Sequence, residues 1–453
     1  MTTTTLPGRR SLPCAIPDTP LAAAVPGIET CVHCGFCLQA CPTYVNLEDE
    51  NDSPRGRIVL MRAVVEGELP LDDPSVRTHI DRCLGCRACE TACPSGVPYG
   101  HLLEATRATL RAARPTPLLG RVVLGIFEKL PALRVMLFGS RIMRAVRLPS
   151  LFARVGGRLG FASAMLASTR NTLREQDYDF GMAGSRGAVA LLLGCVMEGL
   201  FSRTNRATRR TLRANDYRIR GAPGQVCCGA LHAHAGDLDT ARALARTNIE
   251  AFERSGADFI GVNAAGCGAM MKEYRHLLGD DPEWAERAEK VSARVRDVSE
   301  LLAAAGPRPG GSLPTRVTYD APCHLLHAQR IAGPPLAVLR AIPDLTLIPL
   351  TDAEQCCGAA GIYNLLEPAT SNAVLAPKLR HIASTGADWV ATGNPGCLMQ
   401  IGAGLRRARA PERFIQSICW TPRTRPSAVT RPANRTPPPA NPPSELMADG
   451  CHP

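Results

Sequence analysis

The chain has 453 residues, enough for two or three domains with separate cores. It is 45% hydrophobic and 21% charged, the balance of a globular protein, and its net charge of +11 favours acidic partners or an anionic surface. Aromatic residues make up only 4%, which argues against a nucleic-acid partner held by base stacking, and no apolar run reaches the roughly eighteen residues of a membrane span.

Residues 1–22 carry an arginine pair, Arg9 and Arg10, but Pro13, Pro17, Asp18 and Pro20 interrupt the apolar core of an export signal. The segment reads as a flexible leader of a cytoplasmic protein. In a reducing compartment, 19 cysteines point to metal ligation or redox chemistry rather than to disulfides.

Residues 23–112 read as a helical ferredoxin domain. "CVHCGFCLQACP" sets Cys31, Cys34, Cys37 and Cys41 before Pro42, and "CLGCRACETACP" sets Cys83, Cys86, Cys89 and Cys93 before Pro94. This C-x2-C-x2-C-x3-C-P spacing is that of bacterial [4Fe-4S] ferredoxins. Three closely spaced cysteines let one loop wrap three corners of a cubane, and the fourth thiolate reaches the other run's cluster. Cluster one is therefore expected on Cys31, Cys34, Cys37 and Cys93, and cluster two on Cys83, Cys86, Cys89 and Cys41. Paired zinc knuckles would need a longer gap within each set. Gly35 and Gly85 allow backbone amides close to the cluster sulfides. Ser53 reads as an N-cap with Pro54 behind it, opening a helix to about Glu66, and Asp73 with Pro74 repeats the device. Arg55 and Arg57 read equally as solvated charges or as braces for anionic clusters.

Residues 113–186 form a helical connector. Between 121 and 158, seven arginines and one lysine face a single acid, Glu128, among apolar residues at helical spacing. Pro131 and Pro149 break the segment. It reads either as helices packed on their neighbours with snorkelling arginines, or as a face for a membrane surface or partner.

The second half is a duplication. "LLLGC", "VCCGAL" and "SGADFIGVNAAGC" are answered by "TYDAPC", "QCCGAA" and "TGADWVATGNPGC", giving cysteine-rich repeats at 187–310 and 314–418. Short apolar or β-branched runs precede the cysteines and helical stretches separate them, so each repeat reads as α/β with parallel strands. The cysteines then fall past the carboxyl ends of strands, where such sheets bind ligands. Cys195, Cys227, Cys228 and Cys267 form one candidate metal or redox site, and Cys323, Cys356, Cys357 and Cys397 the other. His324 and His327 flank the second. The tail 422–453 is proline-rich and reads as disordered, so Cys451, like Cys14 in the leader, is left out of any site.

Together "CVHCGFCLQACPTY", "DSPRGRIVLMR", "YDAPCHLLHAQ", "CCGAAGIYNLLEP" and "ATGNPGC" resemble the iron-sulfur subunits of bacterial glycolate oxidase across residues 28–418. The resemblance implies a multidomain α/β chain with two [4Fe-4S] clusters and a capacity for further iron-sulfur in the repeats. It implies electron transfer from an FAD-containing partner subunit, oxidising glycolate or D-lactate, toward a quinone or membrane acceptor. The chain would be cytoplasmic, or peripheral on the inner face of the cytoplasmic membrane. It carries no dinucleotide fingerprint of its own; "GAPG" at 221–224 is too short. The cysteine-rich repeats also occur in lactate-oxidation proteins and heterodisulfide reductases, whose redox chemistry at the CCG sites is the alternative. The fullest such repeats end in C-x-x-C, whereas Ala264 and Asn394 stand here three before Cys267 and Cys397. That departure puts the noncubane cluster of heterodisulfide reductases in doubt.

Overall fold

The computed structural model describes residues 14–169, 184–408 and 414–416. Its first part is all helical. Ser53 accepts a hydrogen bond from the Gly56 amide at 2.9 Å, Pro54 fills the first turn, and Gly67 ends the helix Pro54–Glu66 at φ +81°. Asp73 caps Pro74–Asp81 in the same way. Ile58, Met61, Val64, Ile80, Leu102 and Leu110 from three helices close a common core. The leader is corrected here. From Cys14 onward it packs on this core: Leu21 is fully buried, the Leu21 amide donates to Thr109, and the Ala15 amide donates to the Val65 carbonyl. Burying one leucine is worth about 2 kcal/mol, enough to hold a short segment down. Residues 1–13, the tail 422–453 and Cys451 lie outside the described residues.

The connector forms the helices Leu118–Glu128, Leu130–Ala145, Leu148–Phe152 and Gly157–Ala167, with Pro131 and Pro149 in the first turns of the second and third. Its inner face packs on both repeats. Leu133 and Leu137 meet Leu200, while Phe161 and Ala164 join Ile401 and Leu405. Arg141 donates to the carbonyls of Glu198 and Gly199, the free end of the helix Cys195–Leu200. No helix among the described residues is long and apolar enough to cross a membrane.

Each repeat holds a four-stranded, all-parallel sheet. In the first, β1 (Ala188–Leu191), β2 (Arg218–Arg220), β3 (Phe259–Val262) and β4 (Val295–Asp297) run in the order β2-β1-β3-β4. In the second, β5 (Thr315–Tyr319), β6 (Leu345–Ile348), β7 (Trp389–Ala391) and β8 (Phe414–Gln416) run as β6-β5-β7-β8. The short edge strands β4 and β8 were not apparent in the sequence. The carboxyl edges of the two sheets face each other. The Ala265 amide donates to the Gly393 carbonyl at 3.0 Å, and Gln329 donates to the Ala265 carbonyl at 2.9 Å.

Candidate iron-sulfur centres

The two cysteine runs lie on loops and short helices around two neighbouring cavities, both lined by Pro54, Cys89 and Tyr99. One cavity is lined by Cys31, Cys34, Cys37, Cys89 and Cys93. A second is lined by Cys41, Cys83, Cys86 and Cys89. Cys89 stands on the wall between them. Cys34 is exposed, so the first cavity is the one that opens outward, whereas Cys41, Cys83, Cys86 and Cys89 are buried. Burial pushes Cys37 up to about 11, and burial followed by the neighbouring thiols raises Cys86 and Cys89 well above the ordinary range. Packed thiols that resist ionising alone are the donor set a multivalent cation cluster would satisfy, because metal displaces their protons.

The surroundings supply donors and positive charge. Gly85 gives its amide to the Cys83 sulfur at 3.4 Å, and the Tyr99 hydroxyl lies 3.8 Å from the same atom. Arg57, one of two arginines with open readings, is fully buried and reaches to 3.9 Å from the Cys41 sulfur. It also donates to Asp52, Thr43 and the His79 carbonyl. Burial alone would lower its pKa, but Cys83, Tyr99, Cys41 and Asp52 hold it charged, above its usual range. Arg55 instead pairs with Glu50 near the surface and donates to the His33 carbonyl, pinning the first loop.

In each repeat the strand ends bring together four cysteines from three separate segments. The Cys195 sulfur lies 3.8 Å from that of Cys227, and Cys228, beside Cys227, contacts Cys267. Cys323 contacts Cys356, and Cys357, next in chain, contacts Cys397. Gly229 and Gly358 explain why a glycine follows each pair. Both adopt left-handed φ, +88° and +82°, and a Cβ would press on the backbone of Ala241 and Ser371 respectively. Asn394 supplies no thiolate, but its amide nitrogen lies 3.5 Å from the Cys397 sulfur. Ala264 is simply buried.

The quartets differ beneath the paired cysteines. Position eleven of the helix Leu238–Arg254 is Asn248, which bonds the Val226 amide, the Cys227 carbonyl and the Tyr274 hydroxyl. Position eleven of its counterpart Pro368–Ser384 is Lys378, which pairs with buried Asp320 at 2.8 Å. Burial works against the charge on Lys378, but Asp320, Cys357 and Cys397 raise its pKa.

The sequence did not announce how these centres meet. Cys86 and Cys356 share one buried cluster, with Cys323 against it, so the second cavity and the second quartet are neighbours. Arg87, between two cysteines, pairs with Glu90 and with Glu273 of the first repeat; His101 also binds Glu273 at 3.0 Å and stacks on His276 at 3.6 Å. His234 and His324 stack across the two repeats, and His327 bonds Thr91. Burial and the His234 ring lower His324 to about 3. No local pattern could reveal these pairs, because their partners lie far apart in the chain.

Residues 27–97 match the 4Fe-4S dicluster domain, and residues 189–272 and 317–402 each match the cysteine-rich domain family. A probable glycolate oxidase iron-sulfur subunit of Bacillus subtilis (strain 168) is 37% identical over 399 residues, covering 83% of this chain and 89% of its own length. The chain belongs to the glycolate oxidase iron-sulfur subunit family. The Escherichia coli (strain K12) member of that family is 35% identical over 84% of this chain and 91% of its own. Lactate utilization protein A of Geobacillus thermodenitrificans (strain NG80-2) is 30% identical over 50% of this chain. An iron-sulfur electron-transfer role follows for the family member described here, with its ferredoxin-type part and two α/β repeats.

Proposed function

We propose that this chain is the electron-carrying subunit of a glycolate or D-lactate dehydrogenase. It would take electrons from an FAD-containing partner subunit and pass them toward a quinone at the inner face of the cytoplasmic membrane. The observation that carries the reading is the contiguity of the second cysteine cavity with the second repeat, through Cys86, Cys356 and Cys323. A chain of adjacent thiolate sites is what a relay needs.

Cys31, Cys34, Cys37 and Cys93 would hold one [4Fe-4S] cluster. Cys83, Cys86, Cys89 and Cys41 would hold the other, with Cys89 assigned to its own run. When bound, such clusters supply one-electron transfer. The exposed first loop, with Val32 and Phe36 at its rim, is the side a redox partner can reach. Arg57 offsets the negative charge that four thiolates bring to the buried cavity. The quartets Cys195, Cys227, Cys228, Cys267 and Cys323, Cys356, Cys357, Cys397 would hold further iron-sulfur at the carboxyl edges of the sheets.

Iron and sulfide counts with electron paramagnetic resonance on anaerobically purified protein test this. About eight irons per chain support the two N-terminal clusters, and a larger count supports metallated quartets as well. Cys86→Ala should remove about four irons. A colourless chain that holds zinc, or one that turns over a disulfide without any partner, overturns the relay.

A further inference from the structure

Thirteen of the seventeen large hydrophobic side chains exposed among the described residues lie between Leu118 and Leu159, so the exposure is concentrated on the connector. Leu118, Val135, Phe138, Val146 and Leu151 are each more than 60% exposed. The inner face of the same helices is fixed against the repeats through Leu133, Leu137 and Phe161. Among the described residues nothing covers the outer face, while the inner face is held by packing.

Its charge is almost all of one sign. Arg121, Lys129, Arg134, Arg147, Arg154 and Arg158 are exposed there, against Glu128 alone. On the helix Leu130–Ala145, Arg134, Val135, Phe138 and Ile142 share the outward side, while Leu133, Leu137 and Arg144 face in. Cations thus run through the apolar surface instead of ringing it.

We infer that this face seats the protein on an anionic lipid surface, with the helices lying in the plane of the headgroups. The inference deepens the membrane-side placement proposed above and does not depend on what the cysteines bind. Three features favour lipid over a protein. The core of a protein interface sheds charged residues, whereas here they interleave with the apolar ones. Arginine stems can lie on acyl chains while their guanidinium groups meet phosphates. The helices have 11, 16, 5 and 11 residues, too short to span a bilayer but suited to its boundary.

Flotation of the purified full-length chain tests it. The protein should float with vesicles of phosphatidylcholine and phosphatidylglycerol, less so as salt rises, and not with phosphatidylcholine alone. Arg134→Gln with Arg147→Gln should weaken partitioning about 25-fold, roughly fivefold for each charge removed. Phe138→Ser should weaken it at every salt concentration. Unchanged iron content in these variants shows that the fold is intact, and dye reduction with the flavin partner reads the relay separately. Absence of flotation with anionic vesicles overturns the inference. So does flotation that these variants leave unchanged, or a complex with a protein partner that Phe138→Ser abolishes while vesicles bind nothing.

Discussion

Replacing Arg57 by methionine would keep the length of the buried stem and delete the charge beneath the second cavity. In the native chain the guanidinium meets the His79 carbonyl at 2.6 Å, Thr43 at 3.1 Å and Asp52 at 3.1 Å. The variant leaves Asp52, which is fully buried, with only His79 and Arg82. It also strips the Thr43 hydroxyl and the His79 carbonyl of a donor. Breaking a buried ion pair from one side costs about 3–5 kcal/mol, a large part of the roughly 5–15 kcal/mol that stabilises a domain. Urea unfolding of anaerobically purified protein, followed by visible absorbance, should show that loss together with faster release of iron. Arg57→Lys should recover part of it, since a point charge can pair with Asp52 but cannot fork to all three partners. A second reading is electrochemical. With positive charge gone from beside Cys41, the potential of the buried centre should fall. Stability within about 1 kcal/mol of wild type would refute the argument that Arg57 is a brace.

Glu273 ties the first repeat to Arg87 and His101. Burial works against its charge, but the His101 bond and the Arg87 guanidinium hold it down to about 2 against an ordinary 4.5. A depressed carboxyl stabilises the fold above pH 4.5 and loses that contribution as pH falls toward 2. The wild-type acid limb should carry at most about 3 kcal/mol from this group, and Glu273→Gln should flatten it in urea titrations across that range. In the second repeat, Lys378→Asn should cost about 3 kcal/mol or more by stranding Asp320, whereas the double change with Asp320→Leu, as Leu192 stands in the first repeat, should recover most of it. A double-mutant cycle with no coupling would contradict the pairing at 2.8 Å.

Much of this architecture is written locally. Cysteine spacing, Ser53 before Pro54, Asp73 before Pro74 and the apolar or β-branched runs before the cysteines act within a few residues, so their helices and strands are readable. The duplication exposed both quartets because CCG recurs with its strand. What escaped is what depends on distance. The three-residue strands β4 and β8 are too short to show a period, and they exist because β3 and β7 offer them a free edge. Leu21 looks like any leucine in a proline-rich leader until Thr109 meets it. Arg57 and Arg55 share a helix and a charge, yet one is sealed in and the other is not, because only Arg57 points at Asp52. The contact of Cys86 with Cys356 and the Arg87–Glu273 pair join segments whose local sequences say nothing of each other.

The joined sheet edges, bonded from Ala265 to Gly393, have one more effect. Two copies of an ancestral unit now sit in one polypeptide and cannot come apart, so neither must stay identical to its twin. Asn248 in one and Lys378 in the other show that they have already diverged directly under the sulfurs. A covalent pair of this kind can evolve two unlike stations at matching depth, which two loose, identical protomers could never do.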